Sequence, residues 1–256
     1  MTHNSYIAFQ TIVRTEVTRF MRIWIQTLLP SVITATLYYA IFGAFLGNRI
    51  GLVHGVSYIA FIVPGLVMMA VITNSYSNVA SSFYGAKFQK SLEELMVAPV
   101  PYVVIIAGFV VGGTLRGLIT GILSLLVALF FTSLPIAHAG IILVFFVLTA
   151  ILFSLAGLIN GVFATSFDSV MIFPTFILTP LIYLGGVFYP ISVLPHLWQT
   201  LSLVNPVLYM INGFRYGFLG VADVPVVTAL GVLVAFVLIL TAIVWYLFKK
   251  GYGLRP

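Results

Sequence analysis

The sequence contains no cysteine, which excludes disulfide frameworks, thiolate metal sites and cysteine nucleophiles. Charge is almost as scarce. Asp, Glu, Lys and Arg together make up 6% of the 256 residues, against roughly a quarter in a soluble domain, so a soluble enzyme of ordinary type is excluded. Five acidic against eleven basic side chains leave a net charge of +6, too thinly spread for the phosphate-contacting stripe that nucleic-acid binding needs. The four histidines, His3, His54, His138 and His196, stand far apart without an H-x-x-x-H pair. The few carboxylates supply no pair for metal or acid–base chemistry inside an apolar stretch, and G-x-x-x-x-G-K-[ST] does not occur. No catalysis, no metal and no cofactor bound by this chain is therefore expected. What is abundant is apolar: 62% of the residues are hydrophobic, the composition of an integral membrane protein in contact with lipid.

Charge-free intervals set the architecture, because a helix crossing the hydrocarbon needs about 20 apolar residues with every backbone bond closed internally. Uncharged runs cover residues 23–48, 50–86, 95–115, 117–167, 169–214 and 224–248. The longest must contain a turn, read at 132–138, which gives six helical spans at 24–46, 57–80, 102–130, 140–163, 170–188 and 226–248. Long runs without two-residue alternation exclude a transmembrane barrel. Cytoplasmic segments retain Lys and Arg. With the N-terminus inside, Arg14, Arg19, Arg22, Lys87, Lys90, Lys249, Lys250 and Arg255 lie on the cytoplasmic side and only Arg49 and Arg215 lie outside, so both termini are expected in the cytoplasm. Topology alone also accounts for each of these cations.

Residues 4–22 differ from the spans. On a helical wheel Tyr6, Phe9, Val13, Val17, Phe20 and Trp24 share one face and Arg14, Arg19 and Arg22 the opposite one, the pattern of an amphipathic helix lying in the membrane interface. A cleaved signal peptide is not expected, since no short apolar core is followed by a small-residue cleavage site. The stretch 85–101 is expected in the cytoplasm. Ser91 to Glu94 reads as a Ser-x-x-Glu capping box opening a short helix that Pro99 and Pro101 stop. That helix would offer Leu92, Leu95 and Met96 as apolar knobs and Glu93 and Glu94 as carboxylates to a groove on a partner; an ordinary capped loop with solvated carboxylates fits the spacing equally. Residues 189–222 are too apolar for a hydrated loop and too broken by Gly and Pro for one span, which predicts short helices re-entering the outer leaflet.

Polar side chains inside spans are costly and so informative. Span two, with Thr73, Asn74, Ser75, Ser77, Asn78, Ser81 and Ser82, is the candidate lining of a substrate path, although interhelical hydrogen bonding explains the same residues. The few charges along it disfavour a strongly ionic cargo. Arg116, deep in span three, needs a partner, expected to be Glu93 or Glu94 and otherwise Asp168. Glycines four residues apart (Gly43/Gly47, Gly108/Gly112, Gly113/Gly117/Gly121, Gly157/Gly161) allow close helix approach, and packing within one subunit accounts for them.

This order of elements, with the stretches 19–24, 61–65, 93–101, 183–189 and 213–220, resembles the ABC-2-type permeases, the membrane subunits of ATP-binding-cassette exporters in Gram-negative inner membranes, over the whole chain. The resemblance implies one transmembrane domain, a homodimer enclosing one pathway, and two copies of a separately encoded ATPase that carries the ATP and Mg. It implies that Leu92, Glu93, Glu94, Leu95 and Met96 form the coupling helix, with Arg14, Glu16 and Arg19 of the lead helix also touching the ATPase. It places Asn74, Asn78, Ser81 and Tyr183 along the path and Phe188, Tyr189, Pro190, Asn205 and Pro206 in an outer gate. The implied function is ATP-driven export of a hydrophobic or amphiphilic drug, lipid or glycan. Two other classes remain: an ion-coupled secondary transporter, which usually carries carboxylates or histidines within its spans where this chain has none, and a non-transporting membrane scaffold.

Overall fold

The computed structural model describes residues 3–253, so Arg255 lies outside the described part. Six helical stretches in it are long and apolar enough to cross a membrane: Trp24–Gly43, Tyr58–Phe88, Tyr102–Ala128, Ala139–Phe163, Phe167–Leu184 and Val226–Lys250. The spans read from charge spacing are all present, with ends displaced by a few residues. The second is the exception. Its helix runs eight residues beyond position 80, so the segment expected to start a loop at 85 starts inside a helix.

In chain order, α1 (His3–Arg22) leads into α2 (Trp24–Thr27), α3 (Leu29–Tyr38), a π-helical stretch (Tyr39–Leu46) and α4 (Gly47–Ile50). A hairpin, β1 (Leu52–Val53) with β2 (Val56–Ser57), was not foreseen; His54 and Gly55 at its tip both take positive φ, 51° and 81°, as a type I′ turn requires. There follow α5 (Tyr58–Phe88), α6 (Ser91–Val97), α7 (Tyr102–Ala128), α8 (Ala139–Phe163) and α9 (Phe167–Phe173). A π-helical turn (Pro174–Leu178) then leads to α10 (Thr179–Leu184), α11 (His196–Val204), α12 (Pro206–Leu219) and α13 (Val226–Lys250).

Helix α5 is the central element, packed between α7 and α8, and it is buried although its mean hydropathy, 1.8, is well below the 2.9 of α13, of whose most apolar window only 11% is buried. Lipid is as apolar as leucine, so hydropathy does not draw a helix inward here; small and polar residues that pack and hydrogen-bond do. The glycine ladders serve this packing. A Cβ at Gly113 or Gly117 of α7 would run into Val79 or Ser75 of α5, and one at Gly157 of α8 would overlap the Tyr76 carbonyl. Gly157→Val is expected to force α5 and α8 apart at a cost of about 1–3 kcal/mol, visible as a lower unfolding temperature in detergent; Gly140→Val, with open space at its Cβ, is the control.

Helix α1 lies across α7 because Gly108 and Gly112 leave room for Ile12 and Glu16. Its buried stripe is therefore Ile12, Glu16 and Phe20, not the wheel face through Phe9, Val13 and Val17. Glu16, expected at the surface among ATPase contacts, is 4% exposed and turned into the protein, where it finds donors that lipid cannot offer.

The capping box at Ser91 is not used. Lys90, in the left-handed conformation at φ 61°, makes the turn between α5 and α6, and Ser91 is the first residue of α6, its hydroxyl donating to the Ala86 carbonyl. The long α5 leaves only Gln89 and Lys90 as linker, so one left-handed residue reverses the chain and no side-chain cap is needed. Lys87, read as a topology charge, is buried and donates to the carbonyls of Val162 and Ala164 at 3.1 and 3.2 Å, closing the C-terminal end of α8. Asp168, expected in a loop, lies in the first turn of α9, whose N-terminus it suits.

Candidate functional site

Of the candidate path residues, Tyr183 lies on α10, whereas Asn74, Asn78 and Ser81 lie along α5. Near its middle α1, α5 and α7 meet in a belt of buried polar groups. Glu16 accepts from the Ser82 hydroxyl, from Asn78 Nδ2 at 3.4 Å and from Arg19 Nη2 at 3.0 Å. Arg19 Nη2 also donates to Asn78 Oδ1 at 2.8 Å and to the Asn78 carbonyl at 3.2 Å. From the far side Arg116 donates to Asn78 Oδ1 at 3.4 Å, Asn74 Oδ1 at 3.3 Å and the Thr27 carbonyl at 3.3 Å, while Asn74 Nδ2 reaches the Ser31 hydroxyl at 3.0 Å.

The partners expected for Arg116, Glu93, Glu94 or Asp168, are not its partners. Its oxygens come from two amides and the carbonyl at the α2 end, all bound through Nη1 and Nη2 without an ion pair, while its Nε is buried without a partner. The Asn74 and Asn78 amides are thus engaged in interhelical bonds in this conformation, and Ser81, one turn further along, is the exposed member of the set. Arg116→Met and Asn78→Leu are expected to couple in a double-mutant cycle by about 1 kcal/mol or more, whereas Arg116→Met and Glu93→Gln should add; thermal unfolding of the three single and two double variants measures both.

The belt separates two cavities on the same face. One, of about 440 Å3, lies towards α6 between α1, α5 and α6, bordered by Thr15, Glu16, Arg19, Ser81 and Ser82. The other, of about 180 Å3, lies between α3 and α5 and reaches from Asn74 and Thr73 to Tyr38. Beyond it an aromatic cluster closes the column: Phe188 packs on Phe42 at 4.9 Å, on Tyr38 at 5.6 Å and on Tyr183 at 5.8 Å between ring centroids, and the Tyr38 and Tyr183 hydroxyls stand 3.4 Å apart. Tyr183 is therefore not beside Asn74 and Asn78 but at the other end of the second cavity.

The residues expected in an outer gate are tied to this cluster. Tyr58 donates to the Phe188 carbonyl at 3.0 Å, Tyr189 to the Tyr183 carbonyl at 2.9 Å, and Asn205 Nδ2 to the Leu181 carbonyl at 2.6 Å. Asn205 also caps α12 through Val207 N, with Pro206 in the first helical turn. Pro190 stands before the 3-10 turn Ile191–Val193.

Sequence reasoning missed the clasp behind this cluster. Arg215, read only as an outer charge, is 1% exposed. Its Nη2 donates to the Gly186 carbonyl at 2.6 Å and its Nε to the Phe61 carbonyl at 3.2 Å, and its guanidinium lies 3.9 Å from the Phe61 ring centroid. Asp223 faces it at 3.8 Å and His54 at 3.7 Å. The signal was available: Arg215 ends a 46-residue run without charge.

At the other end, α6 shows which of its residues reach outward. Glu93 and Glu94 are exposed, Leu95 and Met96 are half-buried, and Leu92, expected as a docking knob, is fully buried in a cluster with Phe83, Ile105 and Phe248. Leu92 fastens the peg to the body. Arg14 is exposed and Arg19 half-exposed on the same side.

Six apolar spans, a polar-lined column along one of them and a short fastened helix at its end define a membrane permease. The chain belongs to the ABC-2 type transporter family, whose description matches residues 7–219. It is 58% identical over 255 residues to the inner membrane transport permease YadH of Escherichia coli K12, covering 100% of both chains. It is 26% identical over 203 residues to nodulation protein J of Rhizobium meliloti, covering 78% of this chain and 76% of that one. It is a multi-pass protein of the bacterial inner membrane, of a family that usually pairs with an ATPase subunit.

Proposed function

We propose that the chain is the membrane half of an exporter that carries a hydrophobic or amphiphilic molecule out of the cytoplasm. ATP and Mg are bound by a separate ATPase, two copies of which sit under a homodimer of this chain. The whole chain forms one transmembrane domain with both termini inside. Helix α1 rests in the interface, α6 is the coupling peg, and the segment from Tyr189 through α12 dips into the outer leaflet.

The observation that supports this reading best is the alignment of the peg, the two cavities and the aromatic cluster along the single helix α5. A carbohydrate- or lipid-bearing cargo suits such a column, in which hydroxyls and amides alternate with apolar side chains. In the mechanism, closure of the ATPase pair moves Glu93 and Glu94, Leu92 passes the motion to α5, and the Tyr183–Phe188 cluster parts while the cavity near α6 closes. The N-terminal Arg14 and Arg19 steady the same ATPase from the side.

The reading is tested by isolating the chain in mild detergent with its neighbouring ATPase and by labelling a cysteine placed at Gln89, next to the peg, in right-side-out and inverted vesicles. Association with the ATPase and labelling from the cytoplasmic face are expected. Labelling only from the outer face would overturn the topology and the coupling role together.

A further inference from the structure

We infer that the 440 Å3 cavity between α1, α5 and α6 is the site that first receives the cargo, and that it selects an amphiphile with an anionic headgroup. The inference deepens the export reading and rests on it. Its first support is the count of charge in the belt that closes the cavity. Two guanidinium groups, Arg19 and Arg116, stand there against the single carboxylate of Glu16. Arg116 is bonded to neutral oxygens alone, so one positive charge is left over in a region shielded from water, where it attracts an anion more strongly than an exposed cation does.

The second support is the way Arg19 uses its donors. Its hydrogen bonds to Glu16 and to Asn78 are all made by Nη2. Its Nε is buried with no partner, and the side chain as a whole borders the cavity and is about one-third exposed. The exposed part of this guanidinium, rather than its buried Nε, can donate to an oxygen of a phosphate or carboxylate at the cavity wall. The Glu16 carboxylate, which would repel such a group, is occupied by Ser82, Asn78 and Arg19.

The third support is the shape of the surroundings. Ile12, Leu95, Phe109 and Phe167 give the same cavity an apolar side suited to an alkyl chain. A groove lined by Arg14, Thr18, Arg19 and Arg22 shares Arg19 with it and forms a basic approach. The expectation of a weakly ionic cargo rested on few charges near the path; the structure sets Arg19 of α1 and Arg116 of α7 beside Asn74 and Asn78.

The test uses the intact chain in neutral maltoside micelles and follows its unfolding temperature on titration with dodecyl phosphate, with dodecyltrimethylammonium as the cationic comparison. Dodecyl phosphate is expected to stabilise the protein saturably and the cation not to. Arg19→Gln should weaken the phosphate by roughly tenfold, the scale of a lost charge-assisted bond. Because Arg19→Gln also alters the belt, Gln89→Lys and Gln89→Glu at the exposed rim of the cavity give a second measure, tightening and weakening the phosphate respectively. Equal stabilisation by both amphiphiles, or indifference to the charge at position 89, would overturn the proposed selectivity.

In vesicles containing the chain with its ATPase, dodecyl phosphate is expected to stimulate hydrolysis. Binding without stimulation would overturn the cargo assignment and leave a resident anionic lipid as the occupant. If instead no ATPase associates with the chain, the export reading fails while the micelle titration still reports on the cavity.

Discussion

Arg215→Met should lower the stability of the folded protein by about 3 kcal/mol or more, because it leaves Asp223 as a carboxylate without its main counter-charge in a nearly water-free site. The loss has three parts. The guanidinium joins the Phe61 carbonyl of α5, the Gly186 carbonyl after α10 and Asp223 before α13, so its removal unfastens three segments that no backbone bond connects. Methionine replaces the packing on the Phe61 ring but none of the donors. His54, whose ring stacks on Phe61 and whose Nε2 faces Asp223, cannot reach the two carbonyls in its place. Thermal unfolding in detergent, with Arg49→Met as the exposed control, measures the effect; a shift no larger than the control's would show that the clasp contributes nothing. Arg215→Met combined with Asp223→Asn should lose less than the sum of the two single changes, since the second change removes the stranded charge.

The second large effect is expected at the peg. Glu93→Lys together with Glu94→Lys reverses two exposed charges that make no hydrogen bond to the described residues of this chain, so insertion and thermal stability should stay within about 0.5 kcal/mol of the parent. Retention of the ATPase and cargo-stimulated hydrolysis should fall by at least about tenfold, the outcome of placing like charges across a docking contact. Leu92→Ala is the contrasting variant. It empties a fully buried site at a cost of about 2–5 kcal/mol and should lower stability first and coupling as a consequence. Normal hydrolysis and normal ATPase retention in the double Glu variant would remove α6 from the docking surface.

Much of the fold was legible because a bilayer imposes few alternatives: an apolar stretch of sufficient length becomes a helix, and the six spans read from the charge spacing did so. What was not legible follows from the same solvent. The wheel of α1 sorted apolar from charged residues, but in lipid an apolar face need not point at protein, and the side chain drawn inward was Glu16, which has Ser82 and Asn78 to bond. The partner of Arg116 was sought among carboxylates because a buried cation invites one. Its oxygens lie 89 and 42 positions away at Thr27 and Asn74, and only the packing of α7 against both α5 and the end of α2 brings them within reach. Asn78 was singled out from its polarity, yet polarity could not tell that its amide would be shared between two arginines. The hairpin at 52–57 escaped notice because His-Gly is a weaker turn signal than Asn-Gly.

Helix α5 is 31 residues long, about 46 Å from end to end at the usual rise, and so spans the whole hydrophobic slab as one rod. One tip is joined to α6 by two residues, its inner part is held at Asn74 and Asn78 by Arg19 and Arg116, and its other end is held at Phe61 by Arg215. So short a hinge has little slack in which to lose a displacement of the peg. A displacement at one end of the rod would be carried along its length to the aromatic cluster at the other.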